Sequence, residues 1–160
     1  MVVADSGPLV ALARLDLLRL LPSQFDEVLI PDVVLSECTA QARRPGAQAI
    51  LAAKDAGILG AAPVPEAERF AAAHLLDKGE AAALLLAQER SCPALIDERR
   101  GRRVAAQLGI PLVGTLGVLL AARKAGEVPA LRPLLEALTA FGYRLRPDLV
   151  RETLRRAGEV

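Results

Sequence analysis

Two short apolar runs, Val2-Val3-Ala4 and Ala94-Leu95-Ile96, each end in an aspartate, Asp5 and Asp97, and helix-starting residues follow at once. In open α/β sheets, buried parallel strands read as continuous apolar runs and ligands collect beyond their carboxyl ends, so acids at these positions face a crevice. If the two strands are neighbours, the carboxylates repel unless a cation or a shared proton lies between them. Glu37 and Glu80 are further candidates. Glu37 follows Val33 by four residues beside Val34 and Cys38, on or next to the apolar stripe of a helix. Oxygen donors without histidine or cysteine among them select Mg2+ or Mn2+. Such a site suits phosphate-ester chemistry, in which a metal lowers the pKa of a water and clamps the phosphate oxygens. Nuclease or phosphatase is the class these residues point to.

Each acid also has a plainer role open to it. Asp5 and Asp97 could cap the helices that follow, although Ser6 can take the first of these duties itself. Glu37 could be a solvated helix residue. Glu80 could be a first-turn acid favoured by the helix dipole, an effect of about 0.3–1 kcal/mol. Four acids at strand ends and inner helix faces are more informative than any one of them.

The elements that must position these residues alternate along the chain. Ser6 and Pro8 start a helix over residues 9–21, residues 27–30 form a strand, and Pro31 opens a helix through Glu37 and Cys38. Arg43-Arg44-Pro45-Gly46 breaks it. A helix over 47–56 closed by Gly57 precedes a third strand within 58–64. Residues 66–76 and 80–90 read as helices separated by the loop Asp77-Lys78-Gly79. A helix over 98–108 ends at Gly109, Leu112 and Val113 form a brief strand, and residues 115–125 form another helix. Two more helical segments fill 130–157, hinged around Phe141-Gly142-Tyr143 and Pro147. This pattern predicts a three-layer α/β/α fold on a short parallel sheet.

With 160 residues, the chain is expected to form a single domain over 1–160, the helices from about 130 included. Hydrophobic residues make up 52% and aromatics 2%, which makes the core aliphatic and alanine-rich. Cys38 and Cys92 form no CxxC pair, so neither a zinc site nor a disulfide framework is indicated. No apolar stretch reaches the length of a membrane span and no signal peptide is evident, which predicts a cytoplasmic protein without a membrane partner. The net charge of +1 hides an asymmetry: residues 1–80 carry 11 acids and 7 bases, residues 81–160 carry 8 acids and 13 bases. Acid gathered in one half and base in the other suits a metal site beside a polyanion-binding surface.

At these same residues the chain resembles the PIN-domain family of ribonuclease toxins and RNA-processing endonucleases. Val2-Val3-Ala4-Asp5-Ser6-Gly7-Pro8-Leu9 looks like the family's opening motif, Ile30-Pro31 with Val34 and Glu37 like its second, and Lys78-Gly79-Glu80-Ala81 like its third. Ile96-Asp97 with Arg102-Arg103-Val104-Ala105, Gly109-Ile110-Pro111 and Gly114-Thr115-Leu116-Gly117 resembles a prokaryotic subgroup of VapC-type toxins. The resemblance implies a five-stranded parallel sheet of order 3-2-1-4-5. It implies that Asp5, Glu37, Glu80 and Asp97 bind Mg2+ or Mn2+ and activate water for RNA cleavage, with Ser6 and Thr115 in support. It further implies a homodimer and, in toxin pairs, a small antitoxin. Many members carry threonine where this chain has Leu95, and aspartate where it has Glu80.

Arg99, Arg102 and Arg103 follow Asp97 closely and are candidates for RNA binding. Arg99 and Arg103 share a helix face, where like charges cost roughly 0.2–0.5 kcal/mol and an anion would relieve the repulsion. His74, the only histidine, makes histidine-dependent mechanisms improbable. The leucines of the last helices read as core or lid packing. Two rivals stand beside a metal-dependent endoribonuclease: a PIN-like binding or regulatory module without catalysis, and a phosphotransferase of haloacid-dehalogenase type. The latter wants an acid two residues after the nucleophile, where this chain has Gly7.

Overall fold

Five all-parallel strands in the order β3-β2-β1-β4-β5 form one sheet in the computed structural model, which describes residues 1–159. The strands are β1 (Val2–Ala4), β2 (Val28–Pro31), β3 (Gly60–Ala62), β4 (Ala94–Leu95) and β5 (Leu112–Val113). Helices α1 (Ser6–Arg14), α2 (Leu20–Gln24), α3 (Asp32–Thr39), α4 (Ala47–Asp55), α5 (Ala67–His74), α6 (Lys78–Arg90) and α7 (Arg99–Leu108) connect them. Helices α8 (Thr115–Lys124), α9 (Arg132–Ala140) and α10 (Pro147–Arg156) follow the last strand. The expected α/β architecture and strand order are thus present. The central strand β1 is wholly buried, which is why its sequence lacks polar alternation.

Register fixes the first geometric fact about the site. Val3 pairs with Ala94 and Ala4 with Leu95, and the Asp5 N–H donates to the Leu95 carbonyl at 3.1 Å. Asp5 is therefore one residue past the paired end of β1, whereas Asp97 is two past that of β4.

Several boundaries differ from the sequence reading. The expected helix over 9–21 begins earlier and is interrupted: α1 starts at Ser6 with Asp5 in the N-cap position, and Asp16 adopts a left-handed φ of 58°. Residues 77–79 are not a loop. Asp77 caps α6, its Oδ1 accepting the Glu80 N–H at 2.8 Å, so Lys78 and Gly79 lie in the first helical turn. Glu98, not Asp97, is the N-cap residue of α7. The third strand is only three residues long, because Gly60 and Pro63 limit the extended segment.

Helix α6 packs against α5, α3, α7 and strands β1, β2 and β4. Its alanines Ala81, Ala82, Ala83 and Ala87, all essentially inaccessible, permit that close approach from several sides. Leu84 and Leu86 fill the space between, and Ile96, Val104 and Ile110 extend the same core under α7.

The chain divides into two compact units, residues 1–114 with the whole sheet and a second unit from Thr115 onward. In the second, α8 and α10 pack together and Leu131, Leu135, Leu138 and Leu154 are buried as core residues, whereas Leu134 and Val150 are partly buried and Leu149 is 45% exposed, outside the expected packing. The Glu159 carboxylate accepts the Leu131 and Arg132 N–H groups at 2.8 and 3.0 Å and thereby caps the start of α9. Among the described residues, no helix is long and apolar enough to cross a membrane.

Candidate active site

Asp5 is held at the carboxyl end of β1 by the turn of chain into α1, and only 4% of it is exposed. It occupies the cap position, yet its side chain makes no capping hydrogen bond across the first turn, so capping does not account for a buried acid here. Burial pushes its pKa from 3.8 up to about 7, and the charges of Asp77, Glu80 and Glu37 push the same way. The Ser6 backbone N–H opposes the shift.

Glu80 is the second buried acid, 6% exposed in the first turn of α6. Burial and the charges of Asp77 and Glu98 raise its pKa, while the Asp77 backbone and Arg100 lower it. Glu37 is exposed on α3, with Val34 and Cys38 carrying the buried face beside it. Its carboxylate reaches α6 all the same. A β-carbon on Gly79 would lie 2.9 Å from Glu37 Oε2 and 3.1 Å from Oε1. Desolvation and Asp77 raise its pKa as well.

Asp97 stands in different surroundings. Its Oδ1 and the Arg102 guanidinium both border Gly114, where a β-carbon would lie 3.1 Å from the one and 3.2 Å from the other. Arg102 also donates to the Ile96 carbonyl at 2.8 Å.

A cleft of about 650 Å³ opens over Asp5, bordered by Ser6, Gly7, Asp77, Glu80 and Glu98, with Arg99, Arg100 and Arg103 on its basic side. Two of the three arginine candidates, Arg99 and Arg103, thus face the acids. Arg102 does not line this cleft; its hydrogen bond to Ile96 directs it toward Asp97. Thr115 is buried at the start of α8. His74 packs against Phe70 in a tilted ring contact, centroids 4.4 Å apart, a packing role.

From the sequence Asp77 reads as a loop residue and Glu98 only as the first residue of a helix. The signal for Asp77 was present in Asp77-Lys78-Gly79-Glu80, an acid followed three residues later by glutamate, which marks a helix start. Glu98 carries no such signature.

The donor chemistry suits a hard divalent ion: carboxylates predominate, and burial pushes the neighbouring Cys38 thiol up to about 12, which keeps it protonated. As the side chains are placed, no group of three or more acidic, histidine or cysteine residues among the described ones could hold a metal ion. Asp5 and Glu80 are fixed in the core and Asp77 is held by its cap bond to the Glu80 N–H, whereas Glu37 has an exposed side chain with freedom to move.

No curated protein matches the chain. A family model described as a PIN domain matches residues 1–159. PIN domains are generally nucleases that act on nucleic acid, and those nucleases usually use divalent metal ions. With a match of that extent over a parallel sheet of order 3-2-1-4-5, the chain belongs to the PIN-domain family.

Proposed function

We propose that this protein is a metal-dependent endoribonuclease in which Asp5, Glu37, Glu80 and Asp97 hold Mg2+ or Mn2+. The observation that carries the reading is the buried Asp5 carboxyl, beset by three further acids at the floor of a cleft whose other wall is arginine. A divalent ion bound there supplies Lewis acidity, raising the acidity of a water and offsetting the negative charge of the phosphodiester. Asp5 and Glu80 provide fixed, desolvated oxygen donors, and the exposed Glu37 provides an adjustable one. Arg99 and Arg103 hold the RNA backbone by charge, and Arg102 orients Asp97. Ser6 and Thr115 have supporting roles. A homodimer, a cytoplasmic location and a VapC-like toxin role with a small antitoxin belong to the same proposal and rest on the motif resemblance.

A second reading, a PIN-like nucleic-acid-binding module without catalysis, is favoured by the lack, among the described residues, of three metal-binding side chains converging as placed. Incubating a mixed RNA pool with purified protein in Mn2+, in EDTA, and with Asp97→Asn separates the two. Cleavage that requires both the ion and Asp97 supports the nuclease; folded protein that binds but never cleaves RNA supports the module.

A further inference from the structure

A second cleft, of about 620 Å³, lies beside the acidic one and shares Ser6 and Gly7 with it. Its remaining wall combines Val10 and Pro45 with Arg14, Arg44, Glu37 and Cys38. This is the composition of a ligand site: apolar surfaces, a few polar groups, and a volume within the ~300–1,000 Å³ usual for small-molecule pockets. The loop bearing Arg44 and Pro45 is tied down. Gly46, at φ 84°, brings it so close to α1 that a β-carbon there would lie 3.1 Å from the Ala13 β-carbon, with the Val10 carbonyl at 3.6 Å. Backbone bonds hold Arg44 on both sides, its N–H donating to the Gln41 carbonyl at 3.0 Å and its own carbonyl accepting the Ala47 N–H at 3.1 Å.

We propose that this cleft is a nucleotide subsite, which receives the RNA nucleotide adjoining the phosphodiester held in the acidic cleft. The inference rests on the ribonuclease reading for its substrate. A strand crossing Ser6 and Gly7 passes from one cleft to the other without leaving the surface of α1. The apolar surfaces of Val10 and Pro45 take a base, Arg44 and Arg14 donate to the flanking phosphate, and Glu37 is the carboxylate of this cleft's wall. Base identity at this position is then read by the shape of the Val10–Pro45 wall, which gives the enzyme a sequence preference on one side of the cut.

Two arms test this. In the first, amide shifts of Ser6, Gly7, Val10 and Cys38 are followed in EDTA while the full chain is titrated with each of the four nucleoside 5′-monophosphates, with a trinucleotide, and with inorganic phosphate. The expected result is saturable shifts with nucleotides and the trinucleotide, weaker shifts with phosphate, and roughly tenfold weaker nucleotide binding in Arg44→Ala, as for loss of one charge-assisted contact. In the second, cut sites in a random RNA pool are sequenced for wild type, Arg44→Ala and Val10→Phe, with the variants altering base preference next to the cut. Nucleotides that leave these amides unmoved overturn the subsite even if RNA is cleaved. Mononucleotide binding with unaltered cut-site preference also overturns it, and marks a site for free nucleotides instead. If the wild type cleaves no RNA, the ribonuclease reading fails, and binding of the trinucleotide no tighter than of a mononucleotide then overturns the subsite on its own.

Discussion

The carboxylate of Glu37, on α3, occupies the space that a β-carbon on Gly79, in the first turn of α6, would fill, with Oε2 only 2.9 Å from that position. The missing side chain at Gly79 thus decides how close Glu37 comes to Asp77, the acid that raises its pKa.

Gly79→Ala separates the site from the fold. Helix propensity favours alanine by roughly 0.5–1 kcal/mol, and the crowding atoms are the mobile end of an exposed side chain. The variant is expected to unfold at the same or a higher urea concentration than wild type while cleaving RNA about tenfold more slowly, since one displaced ligand contact is a loss of that order. Paired urea melts and cleavage rates check this.

Arg102 borders Gly114 beside Asp97 and donates to the Ile96 carbonyl, at the end of β4, at 2.8 Å. Arg102→Ala should cost roughly 1.5–3 kcal/mol of stability, the range for a hydrogen bond from a charged group. It should also lower kcat more than KM, because Asp97 loses its orientation. Arg102→Lys should restore part of the stability but not kcat, since an ammonium cannot reproduce the planar fork. An Arg99→Ala control should behave oppositely, raising KM with little change in melting temperature.

The raised pKa of Asp5 sets a pH dependence whose sign is fixed. Below pH 3.8 the group is protonated in both the folded and unfolded chain and contributes nothing. Between 3.8 and about 7 the folded protein retains a proton that the unfolded chain has lost, so stability falls as pH rises. A shift of this size corresponds to on the order of 4 kcal/mol, complete above pH 7. Glu37 and Glu80, also raised, act in the same direction above 4.5. Urea melts in EDTA from pH 4 to pH 8 should therefore show declining stability, a decline that Asp5→Asn flattens. An unchanged slope in that variant would place the proton elsewhere.

Leu75 adopts a left-handed φ of 56° at the end of α5 and is 76% exposed. Left-handed backbone costs a residue with a β-carbon roughly 1–2 kcal/mol, and little packing is lost by removing an exposed side chain. Leu75→Gly is expected to raise stability by about 1 kcal/mol, measured as a higher melting temperature with unchanged circular dichroism.

The sheet order was legible only through the resemblance; alternation of elements alone specified a parallel sheet and left its order open. Asp5 was readable because an acid ending an apolar run has few structural duties. Glu80 was readable as a first-turn acid, but not as a buried one, because the capping role of Asp77 moves the helix start back past Gly79 and turns Glu80 inward. Asp97 was readable in the same way as a strand-end acid, whereas its place beside Gly114 and Arg102 depends on residues distant in sequence and has no local signal. The break at Asp16 had no residue signal beyond aspartate's tolerance of left-handed backbone, since apolar spacing continues through it.

The central claim is that Asp5 and its neighbouring carboxylates bind a divalent cation. Titrating Mn2+ into wild type and Asp5→Asn at pH 8 by isothermal calorimetry, with folding verified in the same samples, tests it most directly. The account predicts saturable Mn2+ binding to wild type that Asp5→Asn weakens at least about tenfold, as loss of a charged oxygen donor requires. Folded wild type that binds no Mn2+, or an Asp5→Asn variant that binds it equally well, would contradict the account.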